Sequence, residues 1–359
     1  MAINVEISIT SFFIGMATAY YALMSYHLFF GEKRGSSRLH RILGWIFVYW
    51  TLSNAKDMVL MMPGMYEEWV LDMVFVADGW SALTYLAFLN ELTRPGWVVW
   101  GRMLSVAVPF LVYSVAYALF PVHTTTYPIA VFLILFGLYI TVIGYRQSVA
   151  YMKYIRGYYS NIDEIDISWL RSVFLLAAAS LLLWLFTSFS ATAYADCVYY
   201  AVSVVLWQMV VYKCRGLKQV ETAEVQRAKA EQKLETEHKA EGNGAARQFA
   251  FAGTLEEIVE GEKLYLYSNL TLDDLARRLK VNRTCLGAYF TTVVCKTFYD
   301  YINDLRVNEA SIPLMNTHPE YTFEHIAKLS GFSSLSTFRR AFRKITGKMP
   351  SRFREEMQR

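Results

Sequence analysis

The chain changes its hydrophobic pattern once, near residue 213. Before that point it is a succession of long apolar runs parted by short polar stretches, roughly 7–30, 42–62, 69–89, 103–120, 128–144, 169–187 and 197–213. A helix needs about 20 apolar residues to cross a bilayer, and about 17 suffice. The pattern therefore predicts a seven-helix transmembrane domain over residues 1–213. Beyond it, apolar residues return only at three- and four-residue intervals, the spacing of helices with one buried face. The expected fold class is all-α throughout: seven spans, a helical linker over 214–252, and a C-terminal helical domain over 253–359.

Charge orients the first part. Lys33, Arg34, Arg38 and Arg41 follow the first run. Arg94 and Arg102 follow the third, Arg146, Lys153 and Arg156 the fifth, and Lys213, Arg215 and Lys218 the seventh. The alternate loops 63–68, 121–127 and 188–196 carry no Lys or Arg. Positive loops stay in the cytoplasm, so the expected topology is a multi-pass protein of the inner (cytoplasmic) membrane. Its N-terminus is outside and its C-terminal part is inside. The first run has no basic residues before it and reads as a retained anchor rather than a signal peptide.

Ionisable residues inside apolar runs are expensive and mark sites. Lys56 and Asp57 fall in the second run, Asp72 and Asp78 in the third. They are the candidate signal-binding residues, a polar pocket between two spans; the other reading is a structural Lys–Asp pair joining neighbouring helices. A retinal pigment would need a Schiff-base lysine within the seventh span, where Lys213 lies only at the edge. No HExxH, GxSxG or P-loop pattern occurs, so no catalytic residue and no cofactor are expected. The four cysteines, Cys197, Cys214, Cys285 and Cys295, show no C-x-x-C or metal spacing, and no metal site is expected.

The stretch QVETAEVQRAKAEQKLETEHKAEGNGAA is rich in strong helix formers. Leu217, Val220, Ala223, Ala230 and Leu234 partly follow a heptad, which Arg227 breaks. A weak coiled coil, joining two copies of the chain, and a solvated single helix are both compatible with this pattern.

The last domain contains one pattern twice: LTLDDLARRLKVNRTCLGAYFTTVV at 270–294 and YTFEHIAKLSGFSSLSTFRRAFRKI at 321–345, with Ala276 and Ala327 placed 51 residues apart. Each copy opens on a capping threonine, Thr271 or Thr322, and Thr271 with Asp274 has the residue types of a capping box. Each then turns, at Lys280-Val281-Asn282 and at Leu329-Ser330-Gly331, before a second helix. Alanine suits the crossing of the two helices and Gly331 a left-handed turn. Over residues 332–354 Arg339, Arg340, Arg343, Lys344, Lys348, Arg352 and Arg354 fall mostly off the apolar stripe, leaving a basic face suited to a DNA groove.

Residues 268–355 resemble the double helix-turn-helix domain of AraC/XylS-type transcription regulators. The likeness rests on Ile326-Ala327, Gly331-Phe332, Phe338, Phe342, Gly347, Pro350, Phe353 and Arg354. It implies two recognition helices joined by a connecting helix at about Thr297–Ser311, entering successive major grooves of double-stranded DNA. The candidate DNA-contacting residues are Arg283, Thr284, Gly287 and Ala288 in the first copy. In the second they are Ser333, Ser334, Ser336, Thr337, Arg340, Arg343 and Lys344. The family usually has Gly where Cys295 stands. The resulting expectation is a membrane-anchored one-component regulator, with DNA, the lipid bilayer, an unidentified signal and RNA polymerase as candidate partners. The alternative is a transporter or membrane enzyme with a regulatory DNA-binding tail.

Overall fold

The computed structural model describes residues 2–31, 38–58, 68–120, 126–190, 193–215, 217 and 249–358. Their regular structure is helical; the one extended pairing is an isolated antiparallel bridge between Tyr159 and Thr271. The chain divides into two compact units. One comprises Met1–Val149 with Ile167–Thr222, the other Ala150–Asp166 with Ala223–Arg359.

The first unit contains α1 (Ala2–Phe30), α2 (Arg38–Asp57), α3 (Glu68–Gly79), α4 (Ala82–Thr93), α5 (Trp100–Leu119), most of α6 (Thr126–Tyr158), α7 (Leu170–Ser190) and α8 (Ala193–Cys214). α1 packs on α2 and α8, α2 also on α4, and α7 on α8. Trp207 is buried at the centre of this packing. Its indole stacks on Tyr85 at 5.3 Å and meets Phe47 edge-on at 5.5 Å. A second apolar cluster joins Phe75, Val76, Phe110, Tyr117, Ile129 and Leu133.

Five helical stretches among the described residues are long and apolar enough to cross a membrane: Trp69–Thr93, Trp100–Leu119, Thr126–Tyr158, Leu170–Ser188 and Tyr194–Cys214. They correspond to the last five of the seven expected spans. α1 and α2 form helices of 29 and 20 residues, but α2 carries Arg38, Arg41, Lys56 and Asp57, which dilute its apolar character. The third expected span is not one smooth helix, since a turn at Trp80-Ser81 separates α3 from α4. On α5, Leu104, Val108, Leu111, Val112, Val115 and Leu119 are all exposed.

The second unit contains α9 (Ala252–Glu256), α10 (Leu272–Leu279), α11 (Arg283–Tyr289), α12 (Phe298–Leu305), α13 (Ile312–Thr317), α14 (Phe323–Leu329), α15 (Leu335–Thr346) and α16 (Pro350–Met357). The linker at 218–248, with the coiled-coil expectation, lies outside the described residues.

Two cores fill this unit. Leu272, Leu275, Ala276, Leu286, Tyr289 and Phe290 build the first, and Ile326, Ala327, Phe332, Phe338, Ala341 and Phe342 the second. The connecting helix serves both. Its Phe298, Ile302 and Ala310 enter the first core, its Val307 and Met315 the second. This helix runs further than the sequence suggests. Widened turns over Arg306–Ser311 carry α12 directly into α13. Pro313 supplies the reason: it has no N–H to donate and its ring crowds the carbonyl four residues back, so the backbone opens just before it. Ser311 Oγ donates to the Arg306 carbonyl at 2.9 Å within the opened stretch.

Candidate nucleic-acid interface

The two helix pairs repeat each other in atomic detail. Thr271 Oγ1 accepts from Asp274 N, and Thr322 Oγ1 from His325 N, both at 3.2 Å. Val281 N donates to the Ala276 carbonyl at 3.0 Å and Phe332 N to the Ala327 carbonyl at 2.9 Å. Lys280 and Gly331 take left-handed conformations, with φ of +55° and +82°. Each of these partners stands 51 positions from its counterpart, so the duplication read in the sequence is a duplication of caps and turns. Gly331 is confined further, because a Cβ there would lie 2.6 Å from the Leu266 carbonyl oxygen.

The capping box at Thr271 is complete, with Thr271 N donating to Asp274 Oδ2 at 3.0 Å. Burial alone would raise the Asp274 carboxyl, but the hydrogen bonds from Thr271 and the charge of Arg277 outweigh it and hold it below the ordinary carboxylate value. Cys295 ends the widened turns after α11 at φ +54°, the left-handed position where the resemblance led one to expect glycine.

α15 is the helix expected to be the second recognition helix. Ser334 caps it, accepting from Thr337 N at 3.2 Å. Ser333, Ser336, Arg340, Arg343 and Lys344 are exposed, whereas Thr337 is buried. Lys344 Nζ pairs with Asp300 Oδ1 at 2.7 Å. On α11, Thr284 is buried and Arg283, Gly287 and Ala288 are half-buried. Arg283 donates to Asp273 Oδ2 at 3.2 Å.

What surrounds these helices was not among the expectations. Residues 150–166, the last turns of α6 and the segment that follows it, belong to the same compact unit. Ser160 N donates to the Leu270 carbonyl at 3.1 Å beside the Tyr159–Thr271 bridge. The ring of Tyr158 lies 5.2 Å from the Arg283 guanidinium. Ser333 Oγ is 2.8 Å from Asn161 Oδ1 and 2.6 Å from Asp163 Oδ2. Thr337 Oγ1 bonds Asp163 Oδ1. Arg340 lies 3.9 Å from Asp163 and 3.5 Å from Asp166. Arg283, Ser333, Thr337 and Arg340, singled out as DNA contacts, thus all meet this segment.

Arg306 is a second feature that sequence reasoning missed. It is almost wholly buried. Its Nε donates to the Tyr265 carbonyl at 2.7 Å, its Nη1 to the Ser160 carbonyl at 2.9 Å, and its Nη2 to the Tyr267 carbonyl at 2.9 Å. Burial brings the guanidinium down to about 10, with Tyr299 and Asp163 acting the other way. It remains cationic at neutral pH. Its place four residues after Ile302, on the apolar stripe of the connecting helix, was the available signal.

In the first unit, Lys56 Nζ pairs with Asp57 Oδ1 at 2.6 Å and with Asp78 Oδ1 at 2.5 Å. Ser53 Oγ donates to Asp78 at 3.2 Å, and Tyr200 OH to Asp57 at 2.9 Å. Three of the four candidate signal residues form one network; Asp72 is buried earlier on α3. Glu91 was not singled out, yet it is fully buried. It pairs with Arg38 at 2.8 Å and accepts from Gly96 N and Val98 N. Among the described residues no cluster of metal-binding side chains occurs.

Comparison with known proteins agrees with the geometry of the second unit. Residues 275–356 match a family described as a helix-turn-helix domain. The Msm operon regulatory protein of Streptococcus mutans serotype c is 28% identical over 121 residues, 34% of this chain and 41% of that protein. An uncharacterized HTH-type transcriptional regulator of Staphylococcus aureus (strain COL) is 26% identical over 100 residues, 28% of this chain and 13% of the relative. The chain therefore matches less than half the length of each. No solved structure matches it. The chain carries a C-terminal helix-turn-helix domain and is similar over that part to transcriptional regulators.

Proposed function

We propose that this protein is a membrane-anchored one-component transcription regulator. Its second unit binds double-stranded DNA through α11 and α15, and its first unit senses a signal. The observation that carries the reading is the duplicated helix-turn-helix, matched cap for cap and turn for turn, in one chain with five helices apolar enough to span a bilayer. The uncovered apolar face of α5 supports a lipid surrounding, since such a face is costly in water. In this reading the expected seven spans include α1 and α2, the N-terminus is outside, and residues 253–359 lie in the cytoplasm. The Lys56–Asp57–Asp78 network is the place where a signal would act, by binding two arrangements of the helices with different affinity.

Genome-wide DNA occupancy of the full-length, membrane-retained protein tests this. Discrete sites with paired half-sites about one helical turn apart are expected. Membrane retention without any occupied site, under every growth condition tried, would sink it.

A further inference from the structure

The segment joining α6 to α7 takes the positions that DNA needs. It is built to stay there. Ser160 is buried, bonded to the Leu270 carbonyl through both its N and Oγ, and held again by Arg306. Ile162 is fully buried and Ile165 nearly so. Asn161 Nδ2 reaches Asn269 Oδ1 at 3.3 Å. From this base the turn presents Asp163 and Asp166 to Ser333, Thr337 and Arg340. Ser333 and Thr337 sit at the beginning of the 12-residue helix α15, and Arg340 follows one turn further on. Two hydroxyls and a guanidinium there, with the positive end of the helix behind them, are what a phosphate or a base edge uses. Here carboxylate oxygens use them. At the other recognition helix Tyr158 covers Arg283. Gly287 and Ala288 share a groove of about 1110 Å³ with Ala150, Tyr154 and Gly157.

We infer that residues 158–166 are a built-in competitor for DNA, an acidic turn that seats carboxylates where α15 would otherwise meet phosphate and bases. The inference rests on the DNA-binding reading above and names how that site is controlled. The competitor is tethered, so DNA must displace it against a high effective local concentration. Displacement is coupled by the chain to α6 and α7, which adjoin the segment on either side. Whatever moves those two helices acts on the turn directly.

The test uses the full-length protein in lipid nanodiscs and sheared genomic DNA of its source organism at fixed salt. Asp163→Ala with Asp166→Ala should bind that DNA about 10-fold more tightly than the unaltered chain, a coupling of ordinary size. Glu164→Gln, which removes a charge from the same turn, controls for bulk electrostatics and should change little. A second variant, Asn161→Cys with Ser333→Cys, compares one protein in two redox states. With the cross-link closed, DNA binding should fall about 10-fold and return on reduction. Equal binding by the unaltered and double-alanine chains, an equal gain from Glu164→Gln, or undiminished binding by the cross-linked form would each overturn the inference and leave the DNA-binding reading standing. No retention of DNA by any variant would remove both.

Discussion

The Ser160 carbonyl accepts a 2.9 Å hydrogen bond from Arg306 across 146 positions of sequence. The same guanidinium binds the carbonyls of Tyr265 and Tyr267. One side chain thereby ties the connecting helix to two other backbone segments, around Ser160 and Tyr265–Tyr267. Arg306→Ala would leave those acceptors buried and unpaired, and each such group typically costs about 1–3 kcal/mol. Loss of the cooperative unfolding transition of the second unit, followed by denaturant titration, is expected. Arg306→Lys should not rescue it, because an ammonium cannot reproduce the planar fork.

Gly331 and Cys295 share a left-handed backbone and should respond oppositely to change. Gly331→Ala drives a Cβ to 2.6 Å from a fixed carbonyl oxygen and should destabilise by more than about 1 kcal/mol. Cys295→Gly relieves an unfavourable conformation and should raise the melting temperature, with a gain of up to about 1 kcal/mol. A lower melting temperature for Cys295→Gly would show that its side-chain contacts matter more than its backbone.

Asp274 makes the stability of the second unit depend on acidity in a defined direction. Its carboxyl is held below the ordinary value in the folded chain. Its contribution is therefore complete above about pH 4 and is lost as pH falls through the lower folded value. Asp274→Asn should flatten that acid limb. Replacing Thr271 by Ala should cost about 1 kcal/mol at neutral pH. Urea titrations between pH 3 and 7 separate the two effects.

Arg340 is the basic residue of α15 that faces both carboxylates. In a chain already carrying Asp163→Ala and Asp166→Ala, Arg340→Ala should weaken DNA binding by about 1–3 kcal/mol and relax sequence preference at one position. Selection from a random DNA library reads both. A loss equal on all sequences would assign Arg340 to phosphate alone.

Asp78→Asn leaves Lys56 paired only with Asp57. DNA affinity of the full-length protein with the Asp163 and Asp166 alanines should be unchanged, because that background has no carboxylates left to compete with DNA. In the otherwise unaltered chain, reporter output should shift. Unchanged reporter output from Asp78→Asn in the otherwise unaltered chain would rule out the network as the point of signal input.

Features written within a few residues could be read from the sequence alone. Thr271 with Asp274, Thr322, Lys280 and Gly331 are local caps and turns, and their identities follow from backbone geometry. Lys56 and the aspartates stood out because charge in an apolar run is conspicuous; their pairing needed the fold, since Asp57 and Asp78 come from different helices. The segment Asn161–Asp166 could not be read this way. An acidic stretch between two apolar helices has the composition of a solvated loop. Only the fold brings it to α15, more than 165 positions away. The complementary signs of that acidic turn and the basic helix were the signal available, but charge complementarity alone does not choose a partner.

The two helix-turn-helix copies are alike in backbone and unlike in what they present. α11 offers Gly287 and Ala288, while α15 offers serines, Thr337 and Arg340. Their order along a rigid connecting helix is fixed. If both copies meet DNA as proposed, a single chain has a polarity on the double helix, as an arrow does. Its recognition sequence need not be a palindrome. Rotating that sequence end for end beside a promoter, with no base changed, would reverse the order of the two copies along it and should change regulation of the adjoining gene.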